Sequence, residues 1–173
     1  MYIGYQKDKI KFYVSQPFNE PTIEKWEETD QEYVLFGDEY VLKTSPELLE
    51  SAKEAKYQEA NLKAFEYLES GNAVFEYAEG KSIEATDGNI AKLGLYLVKF
   101  LMQQDYTSTI EWNTKENENV QLNAVQLGVI TEGLGAIQSE VWTVKFPAYN
   151  TAIEQAETIE EVESIEIDYT IGE

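Results

Sequence analysis

The first part of the chain alternates apolar and polar side chains, the pattern of β-strands that bury one face. We predict two hairpins, one over residues 3–14 that turns at residues 7–9 and one over residues 32–42 that turns at Gly37 and Asp38. The alternating apolar positions of the first hairpin are Ile3, Tyr5, Ile10, Phe12 and Val14. So small a β unit has too little area to be stable alone, and we expect it to pack on a helix or on a partner.

A long helix follows the β unit. Ser45 suits the N-cap position, Pro46 suits the first helical position, and residues 47–70 are rich in strong helix formers. Gly71 ends the helix. Its predicted apolar stripe is thin and rich in alanine: Leu48, Ala52, Ala55, Leu62 and Phe65. Two interpretations stay open, a connector between the β unit and the rest of the chain or a seam between copies of the protein.

The remaining residues alternate hairpins and helices. Hairpins are predicted over residues 73–84 and 109–122, and Thr86 is the expected N-cap of a helix between them. The predicted inward face of that helix consists of Ile90, Leu93, Leu97 and Leu101. Asn123 and Gln126 have the spacing of a capping box, as do Thr158 and Glu161 near the C-terminus.

The helix that begins at Asn123 carries the most regular apolar spacing in the chain. Steps of three and four residues join Leu127, Ile130, Leu134, Ile137, Val141 and Val144. This seam either packs on the preceding helix within one monomer, or also joins copies of the protein. We expect Pro147 to kink or break the helix near Thr143.

These elements predict an α+β fold in three parts. Residues 1–44 form a small N-terminal β meander, residues 45–72 a connecting helix, and residues 73–173 a C-terminal helical domain with β-hairpins, arranged helix–hairpin–helix.

The composition restricts the chemistry that the chain can perform. It contains no cysteine and no histidine, and every basic side chain is a lysine. Thiolate nucleophiles, histidine bases and bidentate arginine clamps on phosphate are therefore excluded. A site made of carboxylates alone remains conceivable, but the acidic residues show no spacing that chance does not explain. We expect no catalytic residues, no metal site and no cofactor.

The formal net charge of −20 disfavours nucleic acid and anionic membranes as partners. One interpretation is a solvated acidic surface that keeps the protein soluble. The other is a nucleic-acid mimic whose carboxylates imitate phosphates and inhibit a host DNA-binding enzyme. The sequence has no apolar run of the ~20 residues that a membrane span needs and no export signal, so we expect a cytoplasmic location.

Several fragments between Val74 and Asp168 occur in a recognisable order. They are the strand at 75–77, the helix start at 86–90, the segment 110–114, the segment 120–124, and the closing pair 152–156 and 158–162. In this order and spacing the region resembles a bacteriophage tail domain of unknown function, which lies at the C-terminal end of tail-fibre, tail-fibre-assembly and other tail accessory proteins. The segment 28–34, followed by the helix that begins at Ser45 and Pro46, is similar to the N-terminal part of such proteins.

The resemblance implies a non-enzymatic accessory protein that binds tail-fibre or other tail proteins, either as a part of the virion tail or as an assembly chaperone in the host cytoplasm. The resemblance implies no catalytic residues. As partner-binding candidates we select four aromatic residues, because interface hot spots favour such side chains: Trp26, Tyr33, Tyr40 and Trp142. Trp112 is either an exposed recognition residue or an anchor that holds its hairpin on the helices.

Overall fold

The computed structural model describes residues 1–171, and the fold is α+β, with strands first and then helices joined by hairpins. Within these residues the strands are β1 Tyr2–Gln6, β2 Lys9–Val14, β3 Lys25–Glu28, β4 Tyr33–Phe36, β5 Glu39–Leu42, β6 Val74–Ala78, β7 Lys81–Glu84, β8 Thr109–Asn113 and β9 Asn119–Asn123. The helices are α1 Pro46–Glu69, α2 Asp87–Gln103, α3 Ala124–Ser139, α4 Phe146–Gln155 and α5 Ile159–Ser164, with a π-helical segment at Glu140–Lys145.

The chain divides into two compact units. Unit 1 consists of Met1–Ala55 and Ala156–Ser164, and unit 2 consists of Lys56–Gln155 and Ile165–Glu173. These boundaries differ from the predicted ones at 44/45 and 72/73, because α1 contributes its first turns to unit 1 and the rest to unit 2. Residues 172 and 173, the end of the predicted third part, lie outside the described residues.

Unit 1 is built on an antiparallel sheet in the order β2-β1-β3, beside the two-stranded sheet β4-β5. Both predicted hairpins are present. Lys7 and Asp8 make the first turn with φ angles of 50° and 64°, the left-handed conformation that two-residue hairpin turns require. The sequence did not predict β3, since Trp26 is its one apolar residue.

In unit 2 the hairpins β6-β7 and β8-β9 lie with α2 and α3 around one core. The Gln138 amide donates to the Asp87 carboxylate over 2.6 Å, so the end of α3 meets the start of α2 and the two helices run antiparallel. The most deeply buried large side chains are Ile83, Leu93, Leu122, Leu127, Ile130, Leu134, Val141 and Ile153. These hairpins and helices follow the predicted order.

The predicted helix starts at Thr86 and Asn123 have the expected capping hydrogen bonds, whereas the hydroxyl of Ser45, the predicted N-cap of α1, has no hydrogen-bond partner. Thr86 Oγ1 accepts from the Asn89 N–H over 3.2 Å. The Asn123 side chain accepts from the Gln126 N–H, and Gln126 Oε1 accepts in return from the Asn123 N–H, both over 3.0 Å. These bonds satisfy N–H groups that have no partner inside the helix.

At the start of α5, Thr158 Oγ1 accepts from the Glu161 N–H, and Glu161 Oε2 accepts from the Thr158 N–H, both over 3.2 Å. This reciprocal pair is the second predicted capping box. It gives the late acidic residues a local structural role, because a carboxylate here also meets the positive end of the helix dipole.

The buried face of α1 differs from the predicted stripe. Ala60, Ala64 and Leu68 are buried, whereas Leu62 and Phe65 are 58% and 49% exposed. The small alanine side chains let α1 approach the core of unit 2 closely. A prediction that follows the largest apolar side chains therefore selects the wrong face.

Pro147 does not break the helical path. Residues 140–145 adopt π-helical turns, and α4 begins at Phe146, whose N–H donates to the Val141 carbonyl, five residues back. Proline has no N–H to donate, and its ring crowds the carbonyl four residues earlier. The wider π turn around Thr143 makes room for that ring. The regular α-helix is thus interrupted near the predicted position, but helical turns continue through it into α4.

Helix α2 turns most of its predicted face inward. Leu93 is fully buried, and Ile90 and Leu97 pack partly buried against the core of unit 2. The prediction is wrong at the last turn, where Phe100 is buried and Leu101 is 48% exposed, because apolar residues there lie on more than one side of the helix. In the part of the chain that the structure describes, no helix is long and apolar enough to span a membrane.

Candidate functional site

One face of the three-stranded sheet in unit 1 presents three aromatic rings, Phe12, Phe18 and Trp26, which we call the aromatic face. The Trp26 ring centroid lies 5.3 Å from that of Phe18 and 6.1 Å from that of Phe12, and the Phe12 and Phe18 rings meet edge to face at 5.2 Å. Phe18 is 44% exposed, and the other two side chains are half-buried. The rings therefore support one another and still present apolar area to solvent.

The position of Trp26 depends on a glycine in the central strand. Gly4 pairs with Phe12 on one side and with Trp26 on the other. A Cβ at Gly4 would stand 2.9 Å from Cζ3 of the indole, closer than real Cβ contacts come. The indole can lie over β1 only because the central residue has no side chain.

The opposite side of the same strands carries the buried side chain of Ile3 and, near one end, an ion pair beside a tyrosine. Lys25 Nζ lies 2.9 Å from Glu27 Oε1 and 4.3 Å from the centroid of the Tyr5 ring. The hydrogen bond between Lys25 and Glu27 raises the pKa of Lys25 and lowers the pKa of Glu27. The pKa of Tyr5 is raised, first by burial and then by the hydrogen bond to Glu27. The two faces of the sheet therefore differ: the aromatic face presents its rings to solvent, and the other face combines the buried Ile3 with this ion pair.

Tyr33 and Tyr40 do not belong to the aromatic face. Both pack against Tyr13, with ring centroids 5.5 and 6.2 Å away, and both are half-buried. The Tyr13 hydroxyl donates to the Gln31 carbonyl over 3.1 Å. These predicted partner-binding residues form a tyrosine cluster that joins the two sheets of unit 1.

Two lysines of β2 hold the β4-β5 hairpin beside this cluster. Lys11 Nζ lies 2.8 Å from the Asp38 carboxylate, and Lys9 Nζ lies 3.2 Å from that of Glu39. The hydrogen bond from Lys11 lowers the pKa of Asp38. The hairpin is therefore fixed on β2 by charge as well as by aromatic packing.

Trp142, the fourth predicted partner-binding residue, lies in the π-helical segment of unit 2. Its ring is T-shaped to Phe65 at 5.0 Å and to Phe146 at 5.4 Å. The indole is half-buried and packs against the core, whereas Phe65 is 49% exposed. Trp142 consequently forms the floor of a second, smaller aromatic patch.

The residues of the predicted seam lie inside unit 2. Leu127, Ile130, Leu134 and Val141 are fully buried, Ile137 is half-buried against the same core, and Val144 is 52% exposed. The four buried side chains have no accessible surface to offer to another copy. Trp112 is also half-buried against this core, as an anchor for its hairpin would be.

Unit 1 also contains a pocket of about 480 Å³ beside the start of α1. Its single basic residue, Lys43, lies 3.2 Å from Glu32 and 3.9 Å from Glu160. The hydrogen bond to Glu32 raises the pKa of Lys43, so the amine is protonated at neutral pH and is not a nucleophile. The Ser45 hydroxyl has no hydrogen-bond partner, but it is buried from solvent and hence from a ligand in the pocket.

Among residues 1–171, no group of three or more acidic side chains is placed to hold a metal ion. The sequence prediction selected Trp26 but missed Phe12 and Phe18, which complete the aromatic face. The alternation along β2 placed Phe12 on a defined face, but nothing in the sequence paired that face with Trp26, because β3 itself was not predicted. Searches of protein-family models, curated proteins and solved structures found no match to this chain.

Proposed function

We propose that this protein is a non-enzymatic bacteriophage or prophage tail accessory protein, which binds a tail-fibre or other tail protein through the aromatic face of unit 1. The observation that carries the proposal is the group of three mutually packed, partly exposed rings over Gly4. The phage context rests on the resemblance between Val74 and Asp168.

The aromatic face suits protein binding for energetic reasons. Rings that already hold one another in place lose little conformational entropy when a partner covers them, and aromatic side chains supply much of the binding energy at protein interfaces. The rest of the molecule carries a net charge of −20, which opposes association with acidic surfaces. Apolar contact then provides affinity, and the charge provides selectivity.

Co-purification of the tagged full chain with the tail-fibre protein encoded in the same phage genome tests this proposal. Phe18→Ala removes the most exposed ring of the aromatic face, and Phe36→Ala is a matched control with the same side chain in the same unit. The two phenylalanines are 44% and 41% exposed, so the substitutions remove similar accessible area. We expect Phe18→Ala to weaken binding of the fibre protein by at least about thirtyfold, which corresponds to the ~2 kcal/mol of a hot spot, and Phe36→Ala to leave it unchanged.

Mass spectrometry of purified virions then separates the two forms of the proposal. Presence in the particle identifies a structural part of the tail, and binding of fibre protein without presence in the particle identifies an assembly chaperone. The proposal fails if no tail protein binds and the chain is absent from virions. It also fails if the protein displaces DNA from a host DNA-binding protein at physiological salt, the behaviour of a nucleic-acid mimic.

A further inference from the structure

Helix α2 exposes a continuous apolar face on the side opposite its buried residues. Leu95 is 71% exposed, Val98 52% and Met102 81%, and Ala91 precedes them on the same side. The steps between these four residues are four, three and four, so they lie one above another along the helix. Gly94 adjoins this stripe, and no atom lies within 4 Å of the place where its side chain would begin.

An exposed apolar surface of this kind requires an explanation. Soluble proteins usually expose apolar side chains singly; the largest contiguous apolar patch of a typical monomer measures ~300–600 Å² and is often functional. The buried side of α2 is already occupied by Leu93 and Phe100 against the core of unit 2, so the exposed side is not needed for folding. A helix that is apolar on more than one face normally has a neighbour on each of them.

From this face we infer that the protein self-associates, with α2 of one copy packing antiparallel against α2 of a second copy. The proposal is independent of the tail-binding function, and it does not use the seam of α3, which is buried within unit 2. Two observations select a second copy as the occupant: the sizes of the side chains and the distribution of charge.

The side chains are complementary in size under twofold symmetry. In an antiparallel pair centred between Tyr96 and Leu97, Leu95 of one helix faces Val98 of the other, and Ala91 faces Met102. Ala91, the smallest side chain of the stripe, therefore faces Met102, the longest, at each end of the contact, and Leu95 faces Val98 near its centre. Twofold symmetry repeats each of these pairs once, so the same favourable packing extends over the whole contact.

The charge distribution favours the same face. The chain has 33 acidic residues, and none of them lies between Asp87 and Asp105. The only charged side chains within α2 after Asp87 are Lys92 and Lys99, on one edge of the stripe. Two molecules of charge −20 repel each other over most of their surface, and contact along α2 brings together no carboxylates from the helix interior.

Sedimentation equilibrium of the full chain from micromolar to sub-millimolar concentration tests the inference. We expect the average mass to rise from one copy toward two, and the dimer to strengthen as added salt screens the repulsion between like-charged molecules. Leu95→Glu places two carboxylates at the centre of the contact and should raise the dissociation constant at least about tenfold. Leu62→Glu is the matched control, because Leu62 is also helical and is 58% exposed.

The absence of cysteine provides a second readout that does not depend on charge. Leu95→Cys or Val98→Cys gives the chain a single thiol near the twofold axis, and we expect either variant to form a disulfide-linked dimer under mild oxidation. Leu35→Cys, at a 62% exposed position of the other unit, should not cross-link with comparable yield.

The inference is overturned if the chain is monomeric at every concentration, or if Leu62→Glu dissociates the dimer and Leu95→Glu does not. It is also overturned if the chain stays monomeric while Leu95→Glu abolishes capture of the fibre protein, since α2 would then contact that partner. Because the capture assay uses Phe18 and the mass measurement uses Leu95, failure of one proposal leaves the other standing.

Discussion

Gly133 and Gly135 lie two residues apart on α3, yet an added methyl group would meet different surroundings at the two positions. A Cβ at Gly133 would overlap the Phe75 ring of β6, whereas no atom lies within 4 Å of a Cβ at Gly135. Glycine in an isolated helix costs about 1 kcal/mol relative to alanine. At Gly133 this cost is offset by the close packing of Phe75, and at Gly135 nothing in the described structure offsets it.

We therefore expect Gly133→Ala to lower the free energy of unfolding by about 1–3 kcal/mol through overpacking, and Gly135→Ala to raise it by up to about 1 kcal/mol through helix propensity. Urea unfolding monitored by circular dichroism measures both. Equal effects of the two substitutions would contradict the close approach of Phe75 to α3.

Tyr169 and Tyr149 pack edge to face with their ring centroids 5.4 Å apart, but their hydroxyls differ. The Tyr149 hydroxyl donates to the Asp168 carbonyl over 2.6 Å and accepts from the Asp168 N–H over 2.9 Å. The Tyr169 hydroxyl is buried and has no partner. Burial of this hydroxyl raises the pKa of Tyr169 to about 12.

We expect Tyr169→Phe to raise the free energy of unfolding by about 1 kcal/mol, since it removes an unsatisfied polar group, and Tyr149→Phe to lower it. The raised pKa predicts that the folded state prefers neutral Tyr169. Stability is then unaffected below the ordinary pKa of 10 and falls as the pH rises from 10 toward about 12. Chemical unfolding across that pH range should show a smaller alkaline loss for Tyr169→Phe than for the wild type.

Between elements, the turn of the β8-β9 hairpin is attached to β7. Glu116 Oε2 accepts from the Ser82 N–H over 3.0 Å, and the Lys115 N–H donates to the Ser82 carbonyl over the same distance. The bond from the Ser82 N–H is the main cause that lowers the pKa of Glu116 to about 2. The charged carboxylate thus helps to hold one hairpin of unit 2 on the other.

Because the pKa of Glu116 is lowered, the stability that its charged carboxylate contributes is present above pH 4.5 and is lost as the pH falls toward about 2. We expect Glu116→Gln to reduce the acid dependence of the unfolding free energy over that range. Glu111→Gln, in β8 of the same hairpin, removes one carboxylate without this hydrogen bond and is the control. An acid dependence that stays the same in Glu116→Gln would show that the contact carries no stability.

Elements with a local signal were predictable from the sequence. The hairpins follow from alternation and turn residues, and the helix starts follow from Thr86, Asn123 and Thr158, whose caps form within three residues. Strand β3 was missed because its pairing with β1 is set by the stacking of Trp26 over Gly4, a contact between segments distant in sequence. Alternation within Lys25–Glu28 could not reveal it.

The orientation of apolar helices was the least predictable feature. Leu101 was assigned to the core and is 48% exposed, and the α1 stripe was assigned to Leu62 and Phe65 instead of the buried Ala60, Ala64 and Leu68. When a helix carries apolar residues on several sides, the sequence does not show which side faces the core, and tertiary packing decides it. The candidate interface on α2 was invisible in the sequence for the same reason.

At the scale of the molecule, acidic charge is widespread, and helix α2 is an exposed apolar surface without it. Acidic residues are spread through both units, while the stretch from 88 to 104 is free of them and carries much of the exposed apolar area. Long-range repulsion therefore limits which molecules approach, and the apolar surfaces determine where contact lasts. The α2 face depends on this arrangement, whereas Glu27 and Glu28 adjoin Trp26 of the aromatic face in the sequence.

The division of the chain has a consequence for synthesis. Unit 1 begins at the N-terminus but includes residues 156–164, and residues 165–173 then return to unit 2. The contacts of residues 156–164 within unit 1 can form only after the whole of Lys56–Gln155 has been translated. Closing so long a loop slows folding, and until it closes unit 1 is incomplete on the nascent chain.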